Sequence, residues 1–293
     1  MKKPYLLAGI SIFFWSTVAV TTKLLLGTHN NFQVLSVSAL FAAIFLFATN
    51  VATGNIKKLK QYKVKDYVIS TLIGMPGTFF YYVFYYAGAD RMLASQAFIV
   101  NYLWPIMSIV FACIILKEKM TVRKAIAVII SFLGVVIVTG GGADFGGNVM
   151  TGTILCIMGA VCYGIFTSLN QKFNYDKQLS MMMNYVVTYI LTGIINLSRG
   201  DAFIPQMAEV LGFVWNGVFT MAIANTAWTI ALESGKTAKI SNLAYITPFV
   251  SLIWTSLILK EELSFNFVLG LIAIVLGIFI QLKKSAPKTI KQR

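Results

Sequence analysis

Ten apolar stretches, each about as long as a membrane-spanning helix, follow one another along the chain with only short polar joins. A helix needs about 20 apolar residues to cross the hydrocarbon core of a bilayer. The stretches cover residues 4–26, 32–52, 67–88, 92–116, 122–140, 149–170, 179–197, 208–232, 238–259 and 265–282. The seventh is short and carries Asn184. Alternating strand patterns are absent, and the joins are too short for an inserted soluble domain. The chain therefore reads as an all-α integral membrane protein. The first stretch carries Trp15 and Lys23 and no small-residue cleavage site, so it reads as a first span and not as a removable leader.

Composition supports this and narrows the function classes. Hydrophobic residues make up 58% of the chain and charged residues 12%. Soluble domains run at about 45–50% and about 25%. That excludes a soluble globular enzyme, a disordered protein and a disulfide scaffold. The net charge of +14 raises nucleic acid as a partner, but the basic residues lie in short joins and form no basic amphipathic helix. With an inside N-terminus and ten spans, 20 of the 24 Lys and Arg fall on one side. Arg91, Arg199 and Lys260 fall on the other, and Lys23 lies within the first span. The positive-inside rule then places both termini in the cytoplasm.

The chain offers no catalytic or metal chemistry. Cys113, Cys156 and Cys162 lie inside apolar stretches, odd in number and without a C-x-x-C spacing. His29 is the single histidine and falls in a predicted loop. All ten acidic residues fall in joins or at span ends, so no mid-membrane carboxylate is available for proteolysis or for carrying a proton. The glycine-rich Gly140–Gly147 stretch lacks the following G-K-[ST] of a P-loop. No catalytic residue, metal or cofactor is expected.

The chain repeats itself. The segment from Ala94 to Ile137 aligns without a gap with that from Thr237 to Ile280. Pro105 meets Pro248, Lys117-Glu118 meets Lys260-Glu261, and Gly134 meets Gly277, always at an offset of 143. Each repeat holds five spans. Five is odd, so the second copy enters the membrane upside down. The repeats divide at residues 1–143 and 144–293. Inverted repeats are a mark of many alternating-access transporters, with the substrate held near the midplane between the halves. A channel or scaffold built from inverted repeats remains the alternative of another class.

At this point the residues resemble a known family. Ten spans in a five-plus-five inverted repeat, Trp15-Ser16 early in the first span and Leu-Lys-Glu at the ends of the fourth and ninth are similar to the drug/metabolite transporter superfamily, EamA type. Asn101-Tyr102-Leu103-Trp104-Pro105 resembles the NYLWP signature of the YddG-like aromatic amino-acid exporters. The resemblance implies a bacterial inner-membrane exporter of aromatic or large neutral amino acids. Export of other small metabolites or drugs is the alternative within the superfamily.

Polar and aromatic residues in mid-span mark where a path can run. By helical periodicity Ser11, Trp15, Val18 and Thr22 share a face, as do Thr78, Tyr82 and Tyr85 in the third span. Asn101 and Trp104 share a face of the fourth, and Pro105 leaves the Asn101 carbonyl without its helix partner. Tyr163, Thr167 and Asn170 follow in the sixth span, Asn184 and Thr188 in the seventh, Met221, Asn225 and Trp228 in the eighth, and Asn242 and Tyr245 in the ninth. Packing inside the bundle is the alternative for each. The expected substrate site comprises Trp15, Tyr82, Asn101, Trp104, Tyr163, Asn225 and Trp228. Pro105 and Pro248 are the expected hinges. Lys23 reads either as a snorkelling lysine or as a partner for a substrate carboxylate.

Overall fold

The computed structural model describes residues 3–140, 147–173, 175–232 and 243–282. Asp144 and most of the glycine-rich stretch, Lys236, Lys239, Asn242 and the C-terminal lysines from Lys283 onward lie outside the described residues. Among the described residues every regular element is helical. The helices are α1 (Lys3–Leu26), α2 (Asn31–Ala52), α3 (Val64–Asp90), α4 (Ala94–Ile115), α5 (Val122–Val138), α6 (Gly147–Lys172), α7 (Lys177–Arg199), α8 (Met207–Ala231), α9 (Ala244–Leu259) and α10 (Phe265–Ile280).

Seven of them, all but α5, α9 and α10, are 22 to 27 residues long and apolar enough to cross a membrane. At 1.5 Å per residue they reach about 33–40 Å, more than the roughly 30 Å hydrocarbon core. The described parts of the other three are shorter, and α5 has 17 residues. Burial is inverted relative to a soluble protein. Leu72, Ile129, Ile190 and Leu257 lie exposed on the outside, whereas Ser11, Ser38, Asn184, Thr188 and Thr255 are buried between helices. An apolar solvent dictates this arrangement, because hydroxyls and amides must find partners inside the protein.

Helix pairing follows the repeat. α5 packs on α10 and α2 on α7. α3 packs on α6 as α1 does on α8, and α4 packs on α6 as α1 does on α9. Exchanging α1–α5 with α6–α10 maps this set of pairs onto itself. The α5–α10 contact shows why glycine is needed there. A Cβ on Gly134 would lie 2.7 Å from the Gly270 carbonyl oxygen, and one on Gly277 would lie 2.7 Å from that of Ala127. These two contacts are the same contact at an offset of 143. Without side chains the backbones approach closely, which is how helices associate in lipid.

The irregularities also recur. α3 contains a π-helical segment at Pro76–Phe80, and α8 one at Trp215–Ile223. α4 is interrupted at Tyr102 and Leu103, and α9 opens with a 3-10 turn at Ala244–Ile246. Lys117 and Lys260, 143 apart, both take left-handed conformations (φ 58° and 57°) just beyond α4 and α9. The amide of Glu118 reaches the Ala112 carbonyl, and that of Glu261 the Thr255 carbonyl, both at 3.4 Å. These bonds, each reaching back six residues, close both helices over a residue in the left-handed conformation.

α2 and α7 are tied at both ends. At one end Lys58 pairs with Asp176 at 2.7 Å and Asn55 donates to the same carboxylate at 3.2 Å. Burial pushes the Asp176 carboxyl up, but hydrogen bonds from Lys58, the Leu179 amide and Asn55 outweigh it and hold the group below its ordinary value. At the other end Asn30 and Gln33 donate to the Asp201 carboxylate and carbonyl at 3.1 and 2.7 Å.

Candidate functional site

A cavity of about 520 Å³ enters the bundle beside the join between α6 and α7, where Asn170, Gln171, Tyr175 and Lys177 form its mouth. It continues into a recess of about 70 Å³ lined by Trp15, Tyr81, Tyr82, Phe98, Tyr102, Trp104, Tyr163, Asn225, Ala244 and Thr247, among others. Trp15, Trp104, Tyr163 and Asn225 line both parts. A polar vestibule of about 590 Å³ carrying Lys58 and Asp176 adjoins the mouth and shares Lys177 and Asn225 with it. The cavity therefore opens toward the face that bears the lysine-rich 57–65 segment.

Local sequence positions these side chains. α1 breaks at Thr17, between helical segments Lys3–Ser16 and Val18–Leu26. The Ser16 and Thr17 hydroxyls bond back to the Phe13 and Phe14 carbonyls at 2.7 and 2.8 Å, a pattern that bends helices. The same hydroxyls accept the indole N–H groups of Trp254 from α9 and Trp215 from α8, at 3.1 and 2.9 Å. Trp15 is thus fixed at a bend, with its ring 5.2 Å from that of Trp228. On the other wall Trp104 meets Tyr163 edge-on at 5.1 Å, and Tyr163 lies 5.0 Å from Tyr81. Asn225 donates to the Met221 carbonyl at 2.6 Å one turn earlier.

Six of the seven expected site residues, Trp15, Tyr82, Trp104, Tyr163, Asn225 and Trp228, line the cavity or its recess. Asn101 is placed differently. It is buried behind the wall, and its amide donates to the Tyr81 hydroxyl at 2.9 Å. Tyr81, not Asn101, lines the recess. The reason is the turn at Tyr102 and Leu103, which separates Asn101 from Trp104 so that the simple three-residue face no longer applies. The same turn changes the reading of the prolines. Pro105 and Pro248 are second residues of half-helices Trp104–Ile115 and Thr247–Leu259. In the first turn a missing N–H leaves no helix bond unmade.

Tyr102, Phe98 and Thr247 were not among the expected site residues. Tyr102 carries one legible signal, since it lies inside the NYLWP stretch and aligns with Tyr245. Its hydroxyl donates to the Ala244 carbonyl and joins the two half-helix starts.

A family model described as EamA-like transporter matches the chain twice, over residues 2–140 and 150–282. The chain belongs to the EamA-like transporter family. It is 26% identical to a protein described as an uncharacterized transporter of Archaeoglobus fulgidus, over 97% of this chain and all of that one. It is 22% identical to the aromatic amino acid exporter YddG of Ancylobacter novellus, over 84% of this chain and 85% of the relative. The Salmonella typhimurium protein of the same name is 26% identical over 64% of this chain and 67% of that one. A solved crystal structure with 20% identity superposes with a TM-score of 0.69 over 96% of each chain, which shows the same fold.

On the face opposite the cavity mouth, polar contacts tie helix ends together. Glu261 accepts from the amides of Ala94 and Ser95 at the start of α4, at 2.7 and 3.0 Å. Lys23 donates to the Ala89 and Met92 carbonyls at the end of α3, both at 2.8 Å. That accounts for Lys23 without either role expected from the sequence. It satisfies orphan helix carbonyls, as a cation at a helix C-terminus does. His29 lies 3.0 Å from Glu209, against the rings of Phe203 and Phe213. Among the described residues no cluster of metal-ligating side chains occurs.

Proposed function

We propose that the chain exports aromatic or other large neutral amino acids by alternating access across a bacterial cytoplasmic membrane. In this reading it has ten spans in two inverted repeats, residues 1–143 and 144–293, and both termini are cytoplasmic. The bilayer is its solvent, and no cofactor takes part.

The observation that carries the proposal is the chemistry of the cavity wall. Trp15, Trp104, Tyr163 and Trp228 surround a space with no acidic side chain among its described lining residues, and the single cationic one, Lys177, stands at the mouth. Aromatic faces suit a substrate ring, and amides and hydroxyls suit a zwitterion of no net charge. An isolated organic cation would lack a counter-charge there. The relatives named as aromatic amino acid exporters point to the same class. An opening on the lysine-rich face, with polar contacts tying helix ends on the opposite one, fits a cytoplasm-facing state ready to load substrate.

The test is a substrate panel in everted membrane vesicles holding the protein. Labelled Phe, Tyr and Trp should accumulate above control vesicles, and Gly, Lys and Glu should not. Uptake of organic cations or sugars in place of the aromatic amino acids would move the chain to another branch of the superfamily.

A further inference from the structure

Asn184 lines the cavity from α7, about two turns deeper than Lys177 at the mouth. The residue is 1% exposed. Its amide nitrogen donates to the carbonyls of Ser70 and Ser180, at 3.2 and 2.8 Å, and to the Ser180 hydroxyl at 3.2 Å. The two carbonyl acceptors fix which end of the amide is nitrogen. The side-chain oxygen at the other end has no hydrogen-bond partner. Hydroxyls on the same side of the cavity are already committed. Ser70 donates to Ser180 at 2.6 Å, Ser180 shares a hydrogen bond with Tyr175, and Thr78 donates to the Gly74 carbonyl at 3.1 Å. Gly74, itself in the cavity wall, makes room for the amide. A Cβ there would lie 2.0 Å from the Asn184 nitrogen and 2.5 Å from its oxygen. A buried acceptor left unpaired is unfavourable, so a donor to this oxygen is missing.

We propose that the Asn184 side-chain oxygen seats the amino group of the substrate. The sign follows from the atom. An amide oxygen has no proton to give and pairs only with a donor, and an ammonium group brings three. None of the described residues lining this cavity is acidic, so a neutral oxygen is what the ammonium group meets there. A hydrogen bond from a charged donor is about twice as strong as a neutral one, and an oxygen already out of water gives up no hydration to make it. The substrate then lies with its amino group toward the α3–α7 side and its ring toward Trp104 and Tyr163 on α4 and α6. The inference rests on the amino-acid reading above and extends it to one atom.

The test compares purified wild type, Asn184→Ala and Gly74→Ala. The ligands are L-phenylalanine, 2-phenylethylamine and 3-phenylpropanoate, which lacks the amino group. The readout is tryptophan fluorescence, and the melting temperature without ligand controls for folding. Asn184→Ala should bind the two amines about 10-fold or more weakly and 3-phenylpropanoate no more weakly than wild type does. Gly74→Ala pushes the amide aside without changing its chemistry, should show the same pattern, and decides the matter if Asn184→Ala does not fold. Amine binding equal to wild type in the folded variants, an equal loss for 3-phenylpropanoate, or no amine binding by wild type overturns the seat. Wild type that binds 2-phenylethylamine but not phenylalanine overturns the amino-acid reading and leaves the seat standing.

Discussion

Glu261 and Ala94 lie 167 residues apart, yet the carboxylate of the first accepts the amide hydrogen of the second at 2.7 Å, on the face opposite the cavity mouth. The other carboxylate oxygen takes the Ser95 amide, so one side chain satisfies two of the orphan donors at the start of α4. A charge-assisted bond of this kind is worth about 1.5–3 kcal/mol. Glu261→Ala should therefore shift the equilibrium toward the state open on this face. A reporter Asn30→Cys, on the same face, should react faster with a membrane-impermeant thiol reagent in that background. Unchanged labelling would show that the bond only shapes the loop.

Asn101 donates to the Tyr81 hydroxyl, which gives a double-mutant test. Asn101→Ala and Tyr81→Phe should each lower exchange by about 10-fold, since losing one buried partner costs roughly 1–3 kcal/mol. The double variant should lose little more than either alone, because the two remove one interaction. Fully additive losses would mean that Asn101 meets the substrate itself.

Trp104→Ala should discriminate among substrates. Its ring forms the wall between the wide cavity and the recess. Competition by Trp and Phe should weaken more than competition by Leu or Met. Equal loss for all of them would mark the ring as packing.

Gly270 tests the interface that holds the repeats together. A Cβ there would lie 2.6 Å from the Gly134 carbonyl oxygen and 2.3 Å from Val138. Gly270→Val should lower the melting temperature of the protein in detergent, at a cost of about 1–3 kcal/mol or more for overpacking. Retained stability would place the glycines outside the interface.

Much of this was legible in the sequence because the bilayer constrains so few variables. Span length, loop charge and the 143-residue offset gave the order of helices and their exchange symmetry, whereas Gly134 and Gly277 read only as landmarks of the repeat and the fold puts them in the α5–α10 contact. Rings at Trp15, Trp104, Tyr163 and Trp228 could be placed facing one another because helical periodicity holds over most of their spans. Asn101 could not be placed, since a two-residue turn before Trp104 resets the register and no single-residue signal announces it. The π segments in α3 and α8 are hidden for the same reason, although Pro76 hints at the first. Thr247 escaped notice because a lone threonine before a proline looks like an ordinary helix start. Only the fold shows that it lines the recess. Lys23 was recognised as unusual, but its partners are backbone carbonyls, which no side-chain pattern reveals.

Pro105 and Pro248 begin half-helices, so the α4 turn and the α9 start are the places where the backbone is already discontinuous. Pro105→Ala would remove the ring that bars α4 from continuing as one helix across the turn, and so stiffen it. Exchange should slow while substrate affinity, measured by fluorescence, stays within about twofold. Equal loss of affinity and exchange would mean that the proline shapes the cavity and not its motion.

Alternating access itself is tested most directly by counterflow in proteoliposomes. Vesicles loaded with unlabelled phenylalanine and diluted into a trace of labelled phenylalanine should take up label transiently above its equilibrium level, and uptake should saturate with substrate. A pore would equilibrate label without overshoot, and a scaffold would move none. Either result would contradict a cavity that opens to one face at a time.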